Sequence, residues 1–118
     1  MPLTIADVIR ALSPFGDITE RRMFGGYGIY KEGVIIALMD EASLFFKSTP
    51  TTEPFYQSFG SFPFVYEGKD RPVKMSYWQV PQTVLNNPTI LKKWVETAYH
   101  SSIESKTKKP QKPMKRRV

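Results

Sequence analysis

The stretch GYGIYKEGVIIALMD, residues 26–40, constrains the fold more tightly than any other part of the chain. Tyr27, Ile29 and Tyr30 lead into Lys31-Glu32-Gly33, and Val34 to Met39 is an apolar run of strand length. Two such segments around a short glycine-bearing turn predict a β-hairpin. The flanking residues extend it. In DITERRMF, Ile18, Glu20, Arg22 and Phe24 fall on one side of an extended chain, and Thr19, Arg21 and Met23 on the other. After Asp40-Glu41, SLFFKST supplies a further strand, so three or four antiparallel strands follow one another.

Helical signals bracket this run. Thr4 precedes Ile5, Val8, Ile9 and Leu12 at spacings of three and four, with Asp7 placed to complete a capping box, and Ser13-Pro14 ends the helix. In TTEPFYQSFG, Thr51 or Thr52 can cap, Pro54 fits a first turn, and Gly60 follows Phe55 and Phe59 as a stop. FPFVYEGKDRPVKMSYWQV reads as a second hairpin, with Phe62, Phe64 and Tyr66 alternating before the turn and Val73, Met75 and Tyr77 after it. Pro63 and Pro72 remove ladder donors and belong at an edge or a strand start. A short helical turn over 81–85 is followed by Asn87 as cap and Pro88 at the first position of a helix whose apolar face is Ile90, Leu91, Trp94, Val95 and Ala98. Strands in runs, separated by helices, predict an α+β fold: an antiparallel sheet with helices packed on one side, in the order α-β(3-4)-α-β(2)-α.

At 118 residues the chain is about one domain, and 41% hydrophobic content supports a core. There is no signal-peptide pattern and no membrane span, which leads us to expect a cytoplasmic protein. Without cysteine there is no disulfide, thiolate nucleophile or cysteine-bound metal. The net charge of +6 is unevenly placed. Residues 1–105 hold 10 Lys or Arg against 11 Asp or Glu, whereas residues 106–118 hold 7 basic residues and no acid. We therefore expect a folded domain over 1–105 and a disordered basic arm over 106–118. Lys106, Lys108, Lys109, Lys112, Lys115, Arg116 and Arg117 in that arm are the candidates for nonspecific contact with nucleic-acid phosphates. A solubilising terminus is the plain alternative.

Catalytic signals are sparse. Gly25, Gly26 and Gly28 superficially match a phosphate loop, but no Lys-Ser/Thr follows and Ile29-Tyr30 continues a strand instead of opening a helix. Glycines in a turn or bulge, or where a second backbone comes close, explain them better. Arg21 and Arg22 point to opposite faces of a strand, one expected in solvent and the other paired with Glu20 or Glu32. His100 is the only histidine, near the end of the last helix, with no carboxylate placed by sequence to orient it. Neither a triad, a metal site nor a cofactor site is expected. Core packing accounts for most of the aromatics, but Tyr77 and Trp78 are neighbours in a strand, which puts one ring outward and marks a dimer interface or partner groove.

The ordered set Arg22-Met23-Phe24-Gly25-Gly26, Gly28 and Tyr30, Phe45 with Lys47, Phe64 with Tyr66, Met75, and Tyr77 with Val80-Pro81 resembles the N-terminal domain of the bacterial competence regulators called TfoX or Sxy. The resemblance covers about residues 3 to 100. It implies a secretion-chaperone-like α+β domain that commonly self-associates, here a homodimer, with no catalytic residues and no cofactor. It also implies a role in switching on DNA-uptake genes by helping a DNA-binding activator. The two-domain regulators carry a further helical domain where this sequence runs into its basic arm. The expected function is a noncatalytic regulatory or adaptor protein working through contacts with a regulatory protein partner, with the arm as a tether to nucleic acid and no membrane partner. The alternative is direct DNA or RNA binding by the folded face, through Arg21, Arg22, Lys47 and Lys74.

Overall fold

Thr4 starts the first helix, α1 (Ile5–Leu12), through a complete capping box: its hydroxyl accepts from the Asp7 amide at 3.1 Å, and the Asp7 carboxylate accepts from the Thr4 amide at 3.3 Å. These bonds to Thr4, with Arg10 beside them, hold the Asp7 carboxyl below the usual carboxylate range. A 3-10 turn at Ser13–Phe15 ends the helix, as the proline dictates. The computed structural model describes residues 4–23, 25–40, 43–67 and 69–108.

Four strands follow: β1 (Ile18–Met23), β2 (Gly26–Lys31), β3 (Val34–Asp40) and β4 (Ser43–Lys47). The β2–β3 loop is two residues long, with Glu32 at φ 52° and Gly33 at φ 79°. Positive φ at both positions is the type I′ geometry that matches the twist of paired strands. Next come α2 (Glu53–Gln57), β5 (Pro63–Glu67), β6 (Pro72–Gln79), α3 (Gln82–Leu85) and α4 (Pro88–Lys108). Pro63 and Pro72 each open a strand, where a missing donor costs least. Thr52 precedes α2 without capping it; its hydroxyl donates to the Thr49 carbonyl instead. Asn87 does cap α4, accepting from the Ile90 amide at 3.2 Å.

The strands form one six-stranded sheet in the order β1-β2-β3-β4-β6-β5, every pair antiparallel. Residues opposite one another share a face. One cross-strand row, Ile29, Ala37, Phe46 and Trp78, lies under the helices; its neighbour, Gly28, Leu38, Phe45 and Gln79, lies on the helix-free face. Between Ile29 and Tyr30 the register slips, leaving Ile36 as an extra residue on β3, and Ile36 is fully buried with Ala37. At this bulge the Ser102 hydroxyl of α4 donates to the Ile35 carbonyl.

α4 packs on β3 and β4 and brings Trp94 to the centre of the core. Trp94 has ring centroids of Tyr56, Phe59, Phe55 and Phe46 at 4.8, 5.4, 5.9 and 6.2 Å. Such pairs add about 0.5–1.5 kcal/mol each beyond burial. The Tyr56 hydroxyl donates to the Lys47 carbonyl at 2.7 Å, tying α2 to the end of β4.

One expectation needs correction. Neither ring of the Tyr77-Trp78 pair is outward: they are 8% and 5% exposed. Alternation sends them to opposite faces but does not decide whether a face is covered. Trp78 stacks with Tyr56 at 6.4 Å beneath the helices, while Tyr77 is covered on the other face, where the Lys47 ammonium sits 5.1 Å from its ring centroid. Of the arm expected over 106–118, α4 carries the backbone of 106–108, and 109–118 lie outside the described residues. Each residue added to an existing helix gains a backbone hydrogen bond without a new nucleus, so polar residues prolong it. His100 is consequently more than two turns from the helix end, too far inside for the terminal dipole.

Candidate functional site

The glycines around position 26 are used as backbone. Gly25 has φ 80° in the turn between β1 and β2, and Gly26 opens β2. A Cβ on Gly26 would meet the backbone of Met39 and Asp40, and one on Gly28 would come 2.6 Å from the Met23 Cε. The Met23 thioether therefore lies over Gly28, in the space a side chain would need. Tyr30, one residue before the end of the same strand, pairs with Ile35, and Phe24 lies outside the described residues.

Laying Met23 across Gly28 builds one wall of an open groove on the helix-free face. Leu38 and Phe45 continue the row, and the opposite wall is Phe64 and Met75 from the β5–β6 hairpin. The Phe45 and Phe64 ring centroids are 4.7 Å apart, which braces the hairpin against β4. The groove holds about 430 Å³, and among the described residues Asp40 is the only charged group lining it. Asp40 is exposed at the end of β3.

The cations named as a possible anion site do not converge. The Arg22 guanidinium stands 6.0 Å from the Tyr27 ring centroid, on the row that faces the helices, while Arg21 belongs to the opposite face. The ion pair expected for one of them does not form: the Glu32 carboxylate accepts from the Asp17 amide at 2.9 Å. Lys74 lies 3.3 Å from the Glu53 carboxylate and 5.8 Å from the Trp78 ring centroid. Arg22 on β1 and Lys74 on β6 are four strand spacings apart, about 19 Å. Of the arm residues, Lys106 and Lys108 have backbone on α4, and Lys109, Lys112, Lys115, Arg116 and Arg117 lie outside the described residues.

Two tyrosines have strongly perturbed acidity. Burial, with Tyr30 nearby as a smaller cause, pushes the Tyr77 phenol up to about 12. Burial drives Tyr56 up further, opposed by its contact with Ser101. Both are held protonated, as packing groups rather than proton donors near neutrality. Among the described residues no cluster of His, Asp or Glu is arranged to hold a metal, and no helix is long and apolar enough to cross a membrane.

Sequence reasoning gave the glycine turn but not the groove. Its far wall comes from residues about forty positions away, at 64 and 75, and the only sequence signal for that meeting is the aromatic alternation of the second hairpin. A family model described as the TfoX N-terminal domain matches residues 10–102. No curated protein matches the chain.

Proposed function

Because the chain belongs to the TfoX N-terminal domain family, whose members point to a competence-regulator-like role, we propose that it is a noncatalytic regulatory adaptor acting through protein contacts. What supports protein contacts is the concentration of exposed apolar side chains at one edge. Phe62 (52% exposed), Val65 (49%), Val73 and Phe59 all lie on the β5–β6 hairpin or just before it. β5 is an edge strand, so its outer backbone groups are available as well. Apolar side chains beside an open edge suit strand addition by a partner, where main-chain bonds give affinity and side chains give selection. In the same reading the protein is cytoplasmic and homodimeric, and its basic arm tethers it to nucleic acid without reading sequence. The alternative, nucleic-acid binding by the folded face, has less support, because Arg21, Arg22, Lys47 and Lys74 are divided between both faces of the sheet.

The test is transcriptional. In cells lacking the gene, supplying the chain should raise transcripts of DNA-uptake genes, and a Phe62→Glu/Val65→Lys variant should not, while melting within a few degrees of the parent. No response to the parent chain would end the regulatory reading. An undiminished response to the variant would remove the β5 edge from it.

A further inference from the structure

We propose that the groove between Met23 and Met75 binds a lipophilic organic cation, with Asp40 supplying the opposite charge. At about 430 Å³ it lies within the roughly 300–1,000 Å³ typical of small-molecule sites. Its walls are of two kinds. Phe45 and Phe64 bring aromatic rings, whose faces attract positive charge; Met23 and Met75 bring polarisable thioethers that adapt to an irregular guest, whereas Tyr27 and Met39 border the groove from the row whose side chains face the helices. The site is also held in place, by the Phe45–Phe64 contact on one side and by the close meeting of β2 and β3 at Gly26 on the other.

Charge decides which apolar guest fits. Among the described residues, Asp40 is the only carboxylate lining the groove, and no Lys, Arg or His lines it. Asp40 takes part in neither of the ion pairs found among the described residues, Arg10–Asp7 and Lys74–Glu53. The nearby Arg22 reaches the Tyr27 ring from the row facing the helices and does not line the groove. A carboxylate at the rim of an apolar concavity repels a fatty acid or a phosphate and favours a cation, and water at the rim leaves that preference moderate. The cation must itself be apolar. A metal ion such as calcium takes six to eight oxygen ligands, which one carboxylate among rings and thioethers cannot supply. A hydrophilic ammonium would gain nothing from these walls. The guest is thus a single delocalised or shielded positive charge carrying aromatic or aliphatic bulk. This site does not depend on any protein partner.

Tetraphenylphosphonium and tetraphenylborate provide a matched pair of probes, alike in shape and opposite in charge. Each is titrated into the full chain by calorimetry in sodium buffer, with binding located through the labelled methyl groups of the chain's five methionines. Tetraphenylphosphonium should bind and shift the methyls of Met23 and Met75, leaving that of Met39, buried under the helices, unmoved. Asp40→Asn, an exposed change with the fold checked by circular dichroism, should weaken it about fivefold, as expected for a partly screened charge pair. Tetraphenylborate should move the groove methyls less in the parent chain than in Asp40→Asn. The proposal is overturned if tetraphenylphosphonium does not bind, if Asp40→Asn leaves its affinity within twofold, or if tetraphenylborate moves the groove methyls of the parent chain as strongly.

Discussion

The Gly26 Cα faces the Met39 carbonyl so closely that a Cβ would lie 2.1 Å from the oxygen, a distance at which backbone must move. Forced overpacking costs about 1–3 kcal/mol, and a strand backbone yields less readily than a side chain. Gly26→Ala should therefore lose about 3 kcal/mol in urea denaturation. Gly25→Ala meets open space and only the penalty of positive φ, about 1 kcal/mol. Equal losses at the two positions would contradict this packing.

Ser102 is buried, and its hydroxyl satisfies the Ile35 carbonyl beside the β3 bulge. Removing one partner of a buried hydrogen bond costs about 1–3 kcal/mol. Ser102→Ala should fall in that range. Thr97→Ala, on the same helix, removes a hydroxyl that bonds only to the Lys93 carbonyl one turn back, and should change stability by less than about 0.5 kcal/mol.

Alkaline unfolding follows from the raised tyrosines. With a folded pKa above the unfolded value of about 10, Tyr77 binds more protons in the folded state, so its contribution is complete below pH 10 and is lost as pH rises through about 12. Tyr56 extends the same loss to higher pH. Tyr77→Phe cannot ionise and should fall less steeply than the parent chain between pH 10 and 12. Parallel profiles would mean that Tyr77 is not the group responsible.

The basic arm is testable by salt. Its 7 cations, if all engaged on duplex DNA, give a slope of log affinity on log salt of about −6. The full chain should approach such a slope, and a chain ending at Ser105 should show no salt-sensitive binding. Unchanged binding by the shortened chain would shift attention to Arg21, Arg22, Lys47 and Lys74.

Local chemistry made much of this fold readable. Glu32-Gly33 announces its turn because few residues accept positive φ in succession, and Asn87-Pro88 announces α4 because a cap and a fixed φ coincide. Contacts between distant segments were not readable. That β6 pairs with β4 and leaves β5 outside depends on how α2 carries the chain across, and no periodicity encodes it. The covering of Tyr77 and the Phe45–Phe64 wall of the groove both follow from that strand order. The bulge at Ile36 is equally silent, since a run of apolar residues looks the same with or without one residue inserted.

The position of Trp94 bears on how the protein emerges from the ribosome. β1 to β4 form successive hairpins whose pairings are local, so this meander can assemble as soon as it clears the exit tunnel. Its helix-facing surface then lacks the cover of α4 over β3 and β4, because Leu91, Trp94, Val95 and Ala98, all buried in the finished domain, belong to a helix made about forty residues later. Until that helix arrives, Phe46 and Ala37 present an apolar sheet to water, the kind of surface on which unfinished chains aggregate. Closure of the core over β3 and β4 is thus timed by the arrival of α4, well after the strands it covers have paired.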